Sequence, residues 1–216
     1  MSSYLCLAAI AIMGILMQLF FSQQEYYRND KHAIVLKASC SFVTVLLCLY
    51  ALIEKHAPIQ SWFLFIGLFL CMIADGVIEL RFETGVLIFL VANLCFTAYY
   101  FTLAPFNGFS LIIFAVGLIF AAILFRRRWS KLGKHFIIYA AHAAVLALMF
   151  SIAVTLPFQV EKTGATCIAV GAASLLASNL LLSWYRSDPV SLVRRRLVLY
   201  FYYPAVYLLA VSEFYL

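Results

Sequence analysis

The sequence predicts an all-α fold, a polytopic membrane helical bundle of about eight transmembrane helices. Of its 216 residues, 66% are hydrophobic and 11% are charged, whereas soluble domains are nearer half apolar and a quarter charged. The apolar residues form runs close to the length of about 20 residues that a helix needs to cross a bilayer. Alternating strand-length segments typical of a membrane barrel are absent from the sequence, so a helical bundle is expected.

The eight apolar runs follow one another through short connections, such as APFNG at 104–108. These leave no room for a soluble domain, so residues 1–216 are predicted to form a single transmembrane domain. The first run has no basic residue before it and no cleavage motif after it, so we expect a retained span rather than a signal peptide. The predicted spans are Tyr4–Phe21, Ala33–Ile53, Trp62–Leu80, Val86–Ala104, Phe109–Phe125, Phe136–Leu156, Gly164–Trp184 and Leu197–Tyr215.

The positions of the basic residues predict the orientation of the bundle. The connections after spans 1, 3, 5 and 7 hold Arg28, Lys31, Arg81, Arg126, Arg127, Arg128, Lys131, Lys134, Arg186, Arg194, Arg195 and Arg196. The opposite side holds only Lys55 and Lys162. We therefore expect these basic loops to be cytoplasmic and both termini to be non-cytoplasmic. Cations confined to short loops favour anionic lipid headgroups rather than nucleic acid.

Spans 2 to 4 carry the first group of polar residues. Lys37 lies about one turn inside span 2, and Asp75 lies five residues, about 8 Å, before the end of span 3. Glu79 follows one turn later on the same face, and Asn93 lies nearer the middle of span 4. Lys37 has an alternative role as a side chain extending to the headgroups, and Glu79 as an interfacial partner of Arg81. Asp75 is too deep to reach water on its short side chain, which favours a functional role.

Spans 6 to 8 carry the second group at a similar depth. Tyr139 and His142 lie one to two turns inside span 6, and Ser178 and Asn179 match the depth of Asp75 in span 7. Span 8 opens with a group of tyrosines that includes Tyr203, which also fits an ordinary interfacial belt. His142 has an alternative role in packing. A charge at a span centre costs about 2.5–3.5 kcal/mol or more, so we expect these groups to form one pocket open to the cytoplasm, with a nearly apolar outer half.

The remaining residues predict no cofactor and no metal site. The six cysteines are scattered singly, without the paired spacing of a zinc site or a disulfide framework. A weak internal similarity is also present: Gly67 lies eight residues before Asp75, and Gly171 lies eight residues before Asn179. It fits a parallel duplication of four spans, although helix packing alone would also explain the glycines.

At these residues the chain resembles the YhhN family of eight-span membrane proteins, which includes the lysoplasmalogenases. The first position that resembles the family is Lys37, which is followed by an apolar helix. The others are IGLFLCMIADGVIELRFETGVLIFLVANLCFTAYYF at 66–101, GATCIAVGAASLLASNLLL at 164–182 and LYFYYPAVYLLAVS at 199–212. Four positions depart from the family pattern: Ala74 replaces Gly, Asn93 replaces His, Asn179 replaces Asp and Pro204 replaces Gln. One family carboxylate is thus kept at Asp75, and the other is an amide.

The resemblance implies hydrolysis of the vinyl ether bond of a lysoplasmalogen to a fatty aldehyde and a glycerophospho-head group. Asp75 would then be the acid, Glu79 the second carboxylate, and Asn179 a group that orients water or holds phosphate. Residues expected to bind the lysophospholipid or ether-lipid substrate are Lys37, Asn93, Tyr139, His142, Ser178 and Tyr203. Two alternatives stay open: a non-catalytic lipid-binding or regulatory member of the family, and a small proton-coupled transporter using Asp75. The sequence does not predict an oligomeric state.

Overall fold

The helices observed in the computed structural model correspond to the predicted spans. The structure describes residues 2–23, 30–126, 136–187 and 192–216, and this part of the chain forms eight α-helices and no strand. They are α1 Ser2–Ser22, α2 Asp30–Glu54, α3 Trp62–Leu80, α4 Phe82–Leu103, α5 Gly108–Arg126, α6 Phe136–Thr155, α7 Thr163–Ser187 and α8 Leu192–Ser212. Single 3₁₀ turns cover Ile59–Ser61, Leu156–Phe158 and Glu213–Tyr215.

Seven of the described helices are long and apolar enough to cross a membrane. The eighth, α5, contributes a shorter apolar segment, Gly108–Leu124. The chain is therefore a multi-pass helical bundle, which confirms the predicted fold class. Most of the basic loop residues used to predict its orientation lie outside the described residues or have undescribed side chains: Arg28, Lys31, Arg127, Arg128, Lys131, Lys134, Arg186, Arg194 and Arg195.

The α3–α4 connection is tighter than the sequence predicts. Helix α4 begins at Phe82 rather than at Val86, and only Arg81, in an extended conformation (φ −142°, ψ 98°), separates it from α3. Gly85 permits this close reversal, because a Cβ atom there would lie 2.7 Å from Cα of Ile78. The result is a compact helical hairpin with Glu79 and Arg81 at its tip.

Six helices enclose the interior of the bundle. Helix α2 packs on α3, α3 on α4, α4 on α6, α6 on α7, α7 on α8, and α8 returns to α2. Helix α1 packs outside this ring on α2, and α5 packs outside it on α6. Close approach of the helices requires small residues. Gly67 of α3 lies against the buried ring of Phe96 in α4, and Gly171 of α7 lies against Ala205 and Leu209 of α8.

The expectation of a nearly apolar outer half is wrong. At the end of the bundle opposite the α3–α4 turn, the hydroxyl of Tyr99 donates a 2.6 Å hydrogen bond to Oε2 of the buried Glu213. At the same end, the hydroxyls of Ser110 and Thr155 lie 2.8 Å apart and link α5 to α6. These polar groups are tolerated because each has a hydrogen-bond partner on a neighbouring helix, a pairing that the apolar runs alone do not reveal.

Candidate active site

An ionic cluster joins α2 to α3 near the α3–α4 turn. The Lys37 ammonium lies 3.1 Å from Oε1 of Glu79 and 3.8 Å from Oδ1 of Asp75. The Ser41 hydroxyl donates a hydrogen bond to Oδ2 of Asp75. Asp75 is 2% exposed and Lys37 is 7% exposed, so both ionisable groups are buried. Buried polar groups of this kind are retained when they are paired or hydrogen-bonded.

Helical spacing explains why these side chains meet. Asp75 and Glu79 are four residues apart on α3, and Lys37 and Ser41 are four residues apart on α2. Residues at this spacing share one helix face, and the two faces oppose each other where α2 packs on α3. The side chain of Glu79 keeps 27% exposure, so it lies on the open side of the cluster, whereas Asp75 lies on the closed side.

A second, uncharged pair of polar side chains joins α6 to α7. Nε2 of His142 is 3.1 Å from Oδ1 of Asn179, and Nδ2 of Asn179 donates a 2.9 Å hydrogen bond to the carbonyl of Leu175. The neighbouring Ser178 hydroxyl donates a 2.9 Å hydrogen bond to the carbonyl of Val198 in α8. The amide of Asn179 is thus held in a defined orientation from both of its ends.

The ionic cluster and Asn179 line one cavity of about 580 Å³, called here the polar chamber. Its described lining consists of Lys37, Asp75, Ile78, Glu79, Leu80, Arg81, Phe82, Glu83, Thr84, Phe89, Ser178, Asn179, Leu182, Val198, Leu199 and Tyr202. Because the lining includes the α3–α4 turn, the chamber lies at that end of the bundle. Asp75 and Asn179, predicted from separate spans to share a pocket, therefore line the same space.

The other predicted site residues lie around this chamber. The Tyr203 hydroxyl donates a 3.2 Å hydrogen bond to the carbonyl of Lys37, and so supports α2 from α8. Asn93 is buried in α4, and its Oδ1 has no hydrogen-bond partner among the described residues. Both lie outside the described lining of the polar chamber. Tyr139 and His142 line a second cavity beside it.

Three residues beside Asp75 or in the lining of the chamber were not predicted as site residues. Ser41 lies outside the described lining but donates a hydrogen bond to Asp75. Tyr202 and Arg81 line the chamber, and Arg81 adds a cation to it. The four-residue spacing from Lys37 to Ser41 was a readable signal. For Arg81 the signal was its position just after Glu79. No group of three His, Cys, Asp or Glu side chains within the described ranges is arranged to hold a metal ion.

Residues 33–213 match the model of the YhhN family. The chain belongs to the YhhN family. The match includes every residue of the polar chamber, from Lys37 in α2 to Tyr202 in α8. No curated protein matches the chain, and no solved structure matches it.

Proposed function

We propose that this YhhN protein is a membrane-embedded hydrolase that cleaves the vinyl ether bond of lysoplasmalogens. The observation that carries the proposal is a buried carboxyl group, Asp75, that shares a chamber with a second carboxylate, a cation and an oriented amide. Such a chamber at one end of a membrane bundle suits a single-chain lipid with a polar head group. The activity of some members of the family supports the choice of bond.

The proposed reaction starts with proton transfer to carbon. Asp75 donates its proton to the alkenyl carbon distal to the ether oxygen, which leaves an oxocarbenium ion on the carbon bonded to oxygen. Water adds to that carbon, and loss of its proton gives a hemiacetal. Collapse of the hemiacetal transfers its hydroxyl proton to the ether oxygen, and so releases the fatty aldehyde and the glycerophospho-head group with a free hydroxyl. The proton that water lost in the previous step restores the acid form of Asp75. General acid catalysis of this kind typically contributes a factor of about 10²–10⁴ in rate.

The geometry separates the roles of the two carboxylates. Lys37 lies closer to Glu79 than to Asp75, so Glu79 is its principal partner. The environment of Asp75 is then set mainly by the hydrogen bond from Ser41 and by burial. We assign Glu79 to stabilising the cation and receiving the proton of water, as the second carboxylate does in glycoside hydrolysis. Lys37 and Arg81 provide cations for the substrate phosphate, and Asn179 orients water.

Release of fatty aldehyde from alkenyl-lysophosphatidylethanolamine by the purified protein tests this proposal. We expect release by the wild type and a loss of at least about 100-fold in Asp75→Asn, because the amide has no acidic proton. Glu161→Gln makes the same change of acid to amide at an exposed position and is expected to retain full activity. Aldehyde release that is absent from the wild type, or undiminished in Asp75→Asn, would refute the proposal.

Asn179 favours a second candidate function, a non-catalytic lipid-binding or regulatory protein. Its neutral amide stands where the family resemblance places a carboxylate. In the hydrolase proposed here the amide is already held by His142 and Leu175, so Asn179→Asp should lower the rate of aldehyde release. A large gain in rate in Asn179→Asp would instead identify a protein that has lost catalysis.

We also propose that the end of the bundle with the α3–α4 turn and the polar chamber faces the cytoplasm, because the predicted loops at that end hold most of the basic residues. In a cysteine-free background, a cysteine introduced at Thr84 should react with a membrane-impermeant thiol reagent only after the cells are permeabilised. One introduced at Glu161, at the opposite end, should react in intact cells. The reverse pattern would reject this orientation.

A further inference from the structure

A second cavity, of about 280 Å³, lies between α5, α6 and α7. Apolar side chains form most of its wall, and the polar contributions come from Tyr139, His142 and Asn179. The cavity follows α5 from Ile113 to Leu124, a distance of about 16 Å along the helix axis. It exists because α5 packs chiefly on α6 and leaves a space toward α7. It is called here the apolar cavity.

Asn179 lines both the polar chamber and the apolar cavity. Its hydrogen bond to Nε2 of His142 therefore lies at the boundary between the two spaces. The other ring nitrogen of His142, Nδ1, is buried and has no hydrogen-bond partner among the described residues. Because Nε2 contacts the amide oxygen of Asn179, Nε2 donates and Nδ1 is an acceptor. A buried acceptor without a partner indicates that a donor group of a ligand completes its hydrogen bonding.

The two spaces together have the polarity of a single-chain lipid. The described lining of the chamber includes the cations Lys37 and Arg81 beside the acidic residues Asp75, Glu79 and Glu83, a mixed set that suits a zwitterionic head group with a phosphate and an ammonium. The apolar cavity has no charged residue in its described lining. An empty apolar cavity forfeits dispersion contacts, so in a bilayer a hydrocarbon chain is the natural occupant. The glycerol end of the lipid would then fall at Asn179 and His142, where its free hydroxyl can donate a hydrogen bond to Nδ1 of His142.

We propose that the apolar cavity binds the hydrocarbon chain of a lysophospholipid whose head group occupies the polar chamber. This inference rests on the proposed function for the identity of the lipid. It adds that α5 and α6 determine which chain lengths are accepted, and that the ether linkage lies beside Asn179. It also gives α5 a role, because this helix adds little to the enclosure of the polar chamber.

A photoreactive lipid tests the position of the chain. The probe is a saturated 1-O-alkyl lysophosphatidylethanolamine with a diazirine at the chain end, which resists vinyl ether hydrolysis. With the full-length protein in phosphatidylcholine vesicles, we expect adducts on the α5 and α6 residues of the apolar cavity. Ala121→Phe should reduce this labelling about tenfold, because Ala121 lines the cavity and the larger ring fills it.

Ala122→Phe is the matched control, since Ala122 is the next residue on α5 and is exposed on the outer surface. It should leave the labelling unchanged. Ala121→Leu, a smaller change, should reduce labelling by an intermediate amount and serves if Ala121→Phe does not fold. Equal labelling in the Ala121 and Ala122 variants, or adducts located outside the cavity, would overturn the proposal.

The outcomes separate this inference from the proposed hydrolase. Labelling that depends on Ala121 in a protein that releases no aldehyde would support the chain site and reject the hydrolysis. Aldehyde release whose chain-length preference is the same in Ala121→Phe and Ala122→Phe would support the hydrolysis and reject the chain site.

Discussion

The two halves of the bundle, α1–α4 and α5–α8, share a pattern of contacts but differ in their chemistry. Helix α1 packs on α2 as α5 packs on α6. Likewise, α2 packs on α3 as α6 packs on α7, and α3 packs on α4 as α7 packs on α8. Helix α2 reaches α8 just as α6 reaches α4. This correspondence is what a parallel duplication of four spans would produce, as the Gly67–Asp75 and Gly171–Asn179 spacings predict.

The chemical difference lies at the second and third helix of each half. In the first half, Lys37 of α2 pairs with Asp75 and Glu79 of α3. In the second half, His142 of α6 contacts Asn179 of α7 through a neutral hydrogen bond. The same framework thus brings an ionic set to the polar chamber and a neutral pair to its boundary with the second cavity, where Asn179 lines both spaces. In the proposed reaction, proton transfer belongs to the first half, and orientation of a neutral group belongs to the second.

Exchanging the carboxylate between the halves should have the largest effect. In the double variant Asp75→Asn, Asn179→Asp, we expect aldehyde release to stay at least about 100-fold below that of the wild type. The relocated carboxylate would lie beside His142 and would lack Lys37 and Ser41. Initial rates measured beside the Glu161→Gln control check this. Recovery to near the wild-type rate would show that the two halves are interchangeable.

Removal of the buried cation should have the next largest effect, this time on stability. Lys37→Met leaves Glu79, the principal partner of Lys37, without its cation, and breaking a buried pair in this way typically costs about 3 kcal/mol or more. Chemical denaturation in detergent measures the free energy of unfolding. Adding Glu79→Gln should restore part of the loss, because the unpaired carboxylate is then replaced by a neutral amide. A loss below about 1 kcal/mol would make this an ordinary exposed ion pair.

The two equivalent glycines should respond differently to alanine. A Cβ atom at Gly67 would collide with the buried ring of Phe96, so Gly67→Ala should lower the free energy of unfolding by about 2 kcal/mol. At Gly171 the nearest atom, the carbonyl oxygen of Ala205, is 3.1 Å away. The better helix propensity of alanine, about 1 kcal/mol, offsets much of that strain. Equal losses of the free energy of unfolding in both variants would show that the two halves pack alike at these glycines.

The smallest effect is expected in the neutral half. His142→Leu removes the hydrogen bond to Asn179 and should lower the free energy of unfolding by about 1 kcal/mol, well below the loss in Lys37→Met. His32→Leu, at an exposed position, is the matched control and should be near neutral. The same denaturation experiment compares the two. A loss as large as that of Lys37→Met would place charge, rather than a neutral bond, at His142.

Much of the fold could be predicted from the sequence because hydropathy is a local property of the chain. The limits of α3 agree with the prediction. Helix α4 ends one residue before the predicted limit and begins four residues earlier than predicted, where Arg81 and Gly85 shorten the turn. The site was readable in part: Lys37, Asp75, Glu79, Ser178 and Asn179 do line one chamber. Tyr203 instead supports α2, and Asn93 is buried in α4 outside the described lining.

The number of apolar runs and the distance of each polar residue from the end of its run could be predicted from the amino-acid order alone, because both follow from position along a regular helix. The partners that these residues take are set by the packed bundle. Lys37 lies nearer Glu79 than Asp75, Ser41 bonds Asp75, and Glu213 finds Tyr99 at the far end of the bundle. Such pairings depend on the rotation of each helix about its axis, which is set by the summed packing of many small contacts with neighbouring helices.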